Sequence, residues 1–161
     1  MWVAAYIIAI VGLNWLFDAV APIMTPFGAL PLATFIVGAV FVLRDYAQRQ
    51  IGHYILLGTL FAGVLTWFMV KPSLAVASTT AFAISEMADW AIFSFTGRPL
   101  QQRILISSLF SVPLDTLFFL YLADFLTPAS FAIQILSKAV GVMVVWYLLK
   151  LRTDGTPATA H

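Results

Sequence analysis

Glu86, Asp115 and Lys138 are ionisable side chains near the middle of long apolar stretches. On insertion scales a central Asp, Lys or Arg costs roughly 2.5–3.5 kcal/mol in a bilayer, so such a residue faces a partner, the bundle interior or a water-filled cavity. Asp89 comes one helical turn after Glu86 and shares its face. The same spacing aligns Ser108, Ser111 and Asp115 along one stripe, sets Gln134 one turn before Lys138, and puts Asn14 and Asp18 on one face of the first stretch. Lys138 paired with Glu86 or Asp115 would make a buried bridge that fixes helix order, with the serines bonded to backbone carbonyls. A lone central lysine does not balance three carboxylates, however, and the remaining acids must be protonated, hydrated or matched to something that enters. A polar, partly charged chamber at the midplane of a helical bundle is the physical description of a transport site. Glu86, Asp115 and Lys138 are therefore expected to line one central cavity.

The elements that must position these groups follow from composition. Hydrophobic residues make up 62% of the chain and charged ones 9%, and the mean hydropathy is +0.99. Ordinary globular domains are roughly 45–50% apolar, so a water-soluble fold is excluded. The charges cluster between apolar runs of the length that crosses a bilayer, about 20 residues of helix. Six runs are expected, over residues 1–22, 27–43, 53–70, 73–95, 103–123 and 128–149, with breaks at Pro22, Pro26, Gly52, Pro72, Gly97, Pro99 and Pro128. The fold class is an all-α integral membrane bundle of six transmembrane helices, one domain over residues 1–152 with a disordered tail over 153–161. The first run has no basic leader or small-residue cleavage site and reads as a retained span rather than a signal peptide.

Orientation follows from the basic residues. One side would hold Arg44, Arg49, Arg98, Arg103, Lys150 and Arg152 in loops or at span ends, and the other only Lys71. Lys and Arg near span ends stay cytoplasmic, so both termini are expected there. Trp2, Trp15, Trp67, Trp90 and Trp146 lie mostly toward span ends, where their rings anchor at the interface. The balanced charge gives no case for nucleic acid. The chain has no cysteine and two histidines, His53 and His161; neither a metal site nor a cofactor is expected. No HExxH or GxSxG element is present, and no enzyme is expected.

Four segments carry a resemblance: FVLRDYAQRQIG from Phe41, ASTTAFAISEMADWAIF from Ala77, RILISSLFSVPLDTLFF from Arg103 and QILSKAVG from Gln134. In order and spacing they resemble the vitamin uptake transporter family, also described as queuosine-precursor transporters. The family pattern matches here as Asp45 with Arg49, Ser85 and Glu86 with Asp89, Ser107 and Ser108 with Asp115 and Phe118 or Phe119, and Lys138. Gln48 or Arg49 stands where many members carry a second loop acid, and Pro113 interrupts the fifth run. The resemblance implies uptake, across the plasma (inner) membrane, of a 7-deazaguanine such as 7-cyano-7-deazaguanine. Chemistry agrees, since a guanine-like edge presents adjacent N–H and NH₂ donors that one carboxylate accepts. Glu86, Asp89 or Asp115 would be that carboxylate, Lys138 or a serine would donate to the ring carbonyl, and Phe118, Phe119, Trp90 or Phe93 would stack. The substrate-binding set is thus Glu86, Asp89, Asp115, Lys138, Ser108, Ser111, Gln134, Asn14 and Phe118. The competing reading is a vitamin-like substrate-binding membrane subunit that needs a separate ATP-driven energising complex, since the chain has no GxxxxGK[ST] loop of its own. Expected partners are a purine-like base and the lipid bilayer, with energising subunits or a homo-oligomer left open.

Overall fold

Proline and glycine set most of the helix boundaries. A computed structural model describes residues 1–26 and 28–154, apart from the side chains of residues 18, 28, 29, 73 and 152–154. The order is α1 (Trp2–Ala19), β1 (Ile23–Thr25), β2 (Gly28–Leu30), α2 (Ala33–Ile51), a 3₁₀ turn (Gly52–Tyr54), α3 (Ile55–Met69), α4 (Pro72–Phe95), α5 (Leu100–Leu122) and α6 (Pro128–Asp154). Pro72 and Pro128 occupy first-turn positions, where a missing N–H costs nothing. Gly52 ends α2 at a φ of 61°, a left-handed geometry that a side chain would strain.

The helical class holds, with corrections. Between Pro22 and Pro31 the chain forms a short antiparallel hairpin, Ile23 opposite Leu30, where the sequence suggested the start of a second span. That span instead begins at Ala33 and continues to Ile51, eight residues past the expected end at residue 43. Pro113 lies inside α5 without ending it, as happens when neighbouring helices satisfy the freed carbonyl. α6 runs through Asp154 and takes in the first two residues of the expected tail; the rest of that tail lies outside the described residues, as does the side chain of Asp18. Three stretches, Ala33–Met69, Leu100–Leu122 and Pro128–Leu151, are long and apolar enough to cross a membrane, and Trp2–Phe17 is a shorter apolar helix.

The helices close a ring in which α1 packs on α2, α2 on α6, α6 on α5, α5 on α4, α4 on α3 and α3 back on α1. They run alternately up and down. At one end the backbone N–H of Trp2 meets Gln50, Arg103 donates to the carbonyl of Phe93, and the Trp146 indole donates to the carbonyl of Gln101. The ring is lined with polar residues and coated with apolar ones: Arg44, Asp45, Glu86, Asp89 and Lys138 are buried, while Leu57, Leu60, Phe61, Phe68, Met87, Leu109 and Leu136 are exposed. Water would forbid that arrangement, whereas lipid favours it. Apolar clusters seal the helix contacts, one around Phe41, Phe93, Ile104 and Val142 and one around Tyr6, Ile10, Val40 and Ile55. At the α2–α6 seam, a Cβ on Gly38 would strike the carbonyl of Lys138 and one on Gly141 the carbonyl of Phe35. This close approach holds Lys138 against the interior.

Candidate functional site

Inside the ring is a cavity of about 660 Å³, within the range of small-molecule sites. All six helices contribute, through Asn14, Phe41, Thr66, Glu86, Asp115 and Lys138 among others. It reaches the end of the bundle that carries Pro22, Pro31 and Asp124–Thr127, and it stops at Glu86. Beyond Glu86, toward the end that carries Trp2 and Trp146, the interior is filled.

The filling is a network centred on Arg44. Its Nε donates to Glu86 Oε2 at 3.1 Å, and Nη1 reaches Asp45 Oδ1 at 3.1 Å, Gln48 Oε1 at 2.6 Å and Asp89 Oδ2 at 3.1 Å. Nη2 donates to the backbone carbonyl of Glu86 at 3.1 Å. Ser107 donates to Asp45 at 2.9 Å and Ser111 to Asp89 at 3.4 Å, which ties α5 in. Arg44, Asp45, Glu86 and Asp89 are all 0% exposed. A planar guanidinium suits this position because its donors fan out in a fixed fork.

Arg44 is therefore not the loop residue that the basic count suggested. The helix continues past it to Ile51, and the side chain points into the ring instead of marking a membrane face. Its presence also changes the charge balance on which the cavity was first inferred, because among the described residues the interior holds two cations, Arg44 and Lys138. Lys138 takes the bridging role: Nζ donates to Asp115 Oδ2 at 2.7 Å and to Thr116 at 2.9 Å.

Of the residues singled out from sequence, Glu86, Asp115, Lys138, Gln134 and Asn14 line the cavity. Asp89 and Ser111 lie in the Arg44 network instead. Ser108 is buried and has no hydrogen-bond partner among the described residues. Phe118 is half-buried, and its neighbour Phe119 lines the cavity, together with Phe82. Phe93 packs in the core beneath Arg103, and Trp90 donates to His53, so neither is a stacking surface in the cavity. The residue that sequence reasoning missed is Arg44. Its signal was the i, i+4 spacing to Gln48 and an excess of acids that called for a second cation.

Glu86 has the most open chemistry. Tyr6 at 3.0 Å, Thr59 at 3.3 Å and Arg44 all donate to Oε2, while the buried Oε1 has no partner among the described residues. Asp115 has both oxygens engaged, by Ser85 and Lys138. Two of the three ammonium protons of Lys138 are used. Among the residues that line the cavity, Glu86 thus keeps one buried carboxylate oxygen without a partner among the described residues, Lys138 has one further N–H to donate, and Phe82 and Phe119 supply aromatic walls.

A family model described as "Putative vitamin uptake transporter" matches residues 6–156, a range that contains the cavity and the Arg44 network. Comparison with curated proteins and with solved structures gives no match.

Proposed function

With membership of the vitamin uptake transporter family as the premise, we propose that this chain imports a purine-like base of the 7-deazaguanine type, such as 7-cyano-7-deazaguanine. All six helices cross the plasma membrane, with both termini in the cytoplasm and the cavity open to the outside. The observation that carries this reading is the unpartnered Oε1 of Glu86 at the inner end of a cavity that Lys138 also lines. An N–H of the base donates to Glu86 Oε1, the third ammonium proton of Lys138 reaches the ring carbonyl, and Phe119 or Phe82 stacks on the ring. A bidentate grip on adjacent donors would first require Tyr6, Thr59 or Arg44 to release Oε2. Asp89 is spent on Arg44 and Ser111, which leaves Glu86 as the reader of the base.

The test is to express the chain in cells unable to make the precursor, feed 7-deazaguanines and assay queuosine in transfer RNA. Restoration by 7-cyano-7-deazaguanine, lost in Glu86→Gln, supports the reading. No restoration by any of them, with the protein present in the membrane, overturns it. Restoration only on co-expression of an ATP-hydrolysing complex would identify a binding subunit instead.

A further inference from the structure

The buried interior has more acids than bases. Among the described residues, Arg44 and Lys138 face Asp45, Glu86, Asp89 and Asp115 at this depth. Lys138 and Asp115 close on each other at 2.7 Å. One guanidinium is left for three carboxylates, and the other groups that α1, α3 and α5 turn toward them are the neutral donors Tyr6, Thr59, Ser107 and Ser111. Asp45 and Asp89 both lie 3.1 Å from Arg44 Nη1, so two buried carboxylates crowd on one nitrogen. Two carboxylates crowded together away from water make a place where one proton can be shared. The second pointer is separate from this pair: Glu86 borders the cavity and keeps a buried oxygen without a partner.

We propose that the Glu86, Asp45 and Asp89 carboxylates form a proton-binding site and that the proton travels with the transported base. Glu86 takes the proton from the cavity and hands it to the Asp45–Asp89 pair, which carries it past Arg44 toward the opposite end of the bundle and leaves Glu86 Oε1 free to accept from the base. The co-transport half rests on the functional reading above; the proton site does not. A metal cation fits less well, because it needs several open oxygens and these are committed to Arg44, Tyr6, Thr59, Ser107 and Ser111. A proton needs one.

The geometry also supplies the coupling. Arg44 on α2 holds Glu86 and Asp89 on α4 with one guanidinium. A proton on Glu86 removes the charge from its bond to Arg44 and weakens it. The floor of the cavity is thereby loosened when Glu86 is loaded and fastened when it is empty.

Two measurements on the purified full chain test this. Infrared spectroscopy at neutral pH should show the C=O stretch of a buried protonated carboxylic acid, reduced in Asp89→Asn and retained in Asp115→Asn; Asp45→Asn replaces Asp89→Asn if that variant fails to insert. Absence of the band in the wild-type chain overturns the proton site. In proteoliposomes, an exterior one pH unit more acidic than the interior should accumulate labelled 7-cyano-7-deazaguanine about tenfold for one proton per base. A protonophore should abolish this, and Asp89→Asn should take up base without responding to the gradient. Wild-type uptake indifferent to the gradient overturns co-transport and leaves the base reading standing. No uptake under any gradient removes the base reading and co-transport together, and the infrared band then decides the proton site by itself.

Discussion

Replacing Arg44 by Met should be among the most damaging single substitutions in the bundle. Arg44 is 0% exposed and makes five hydrogen bonds, to Glu86 Oε2, the Glu86 carbonyl, Asp45, Gln48 and Asp89. Met fills much of the aliphatic volume but leaves three buried carboxylates facing one another. Breaking a buried ion pair from one side typically costs about 3–5 kcal/mol. For a chain of this size that is a melting shift of roughly 6–20 °C. Arg44→Lys keeps the charge but cannot reach every acceptor with a compact ammonium, so losing one charge-assisted bond should cost about 1.5–3 kcal/mol. Unfolding of purified protein in mixed micelles, followed by tryptophan fluorescence, measures both. Adding Asp89→Asn to Arg44→Met should recover part of the loss, since one stranded charge is removed. A loss below about 1 kcal/mol for Arg44→Met, the value of an exposed pair, would refute the buried network.

Three further outcomes follow. Gly141→Ala should weaken folding strongly because its Cβ meets the Phe35 carbonyl, whereas Gly12, where a Cβ would have nothing within 4 Å, should gain about 0.5–1 kcal/mol on substitution by Ala; melting curves of the two variants compare them directly. Lys138→Met strands Asp115, whose Oδ2 lies 2.7 Å from Nζ, and should cost about 3–5 kcal/mol by the same unfolding assay, while Asp115→Asn in the Lys138→Met background should restore much of it. If the proposed orientation holds, a membrane-impermeant thiol reagent applied to intact cells should label a cysteine placed beside Lys71 and spare one placed beside Arg98, since Arg49, Arg98, Arg103, Lys150 and Arg152 keep the basic excess at one end even without Arg44.

The convergence of Glu86, Asp115 and Lys138 on one cavity was legible because the cost of lipid exposure leaves a midspan charge few places to go. Asn14 and Gln134 were legible through helix periodicity from the same anchors. Arg44 was not, because a basic residue beside Asp45 near the end of an apolar run looks like a membrane-face marker. Only the continuation of α2 to Ile51, through residues of mixed polarity, draws it inside. Asp89 and Ser111 were placed on the right faces, but spacing along single helices does not reveal that α2 supplies a guanidinium between them and the cavity. The hairpin at Ile23–Leu30 was hidden for a different reason, since its residues are as apolar as a span and only the prolines on either side limit its length. Pro113 hid nothing, since the fifth run expected over residues 103–123 forms as the helix Leu100–Leu122 with the proline inside it.

The central claim is that Glu86 reads a purine-like base at the inner end of the cavity. Its most direct test is calorimetric titration of 7-cyano-7-deazaguanine into the purified chain and into Glu86→Gln, with circular dichroism to establish that both are folded. The wild-type chain should bind the base saturably. Binding to Glu86→Gln should be weaker by about 10- to 150-fold, the equivalent of one hydrogen bond to a charged group at 1.5–3 kcal/mol. No binding to the folded wild-type chain, or equal binding by both proteins, would contradict it.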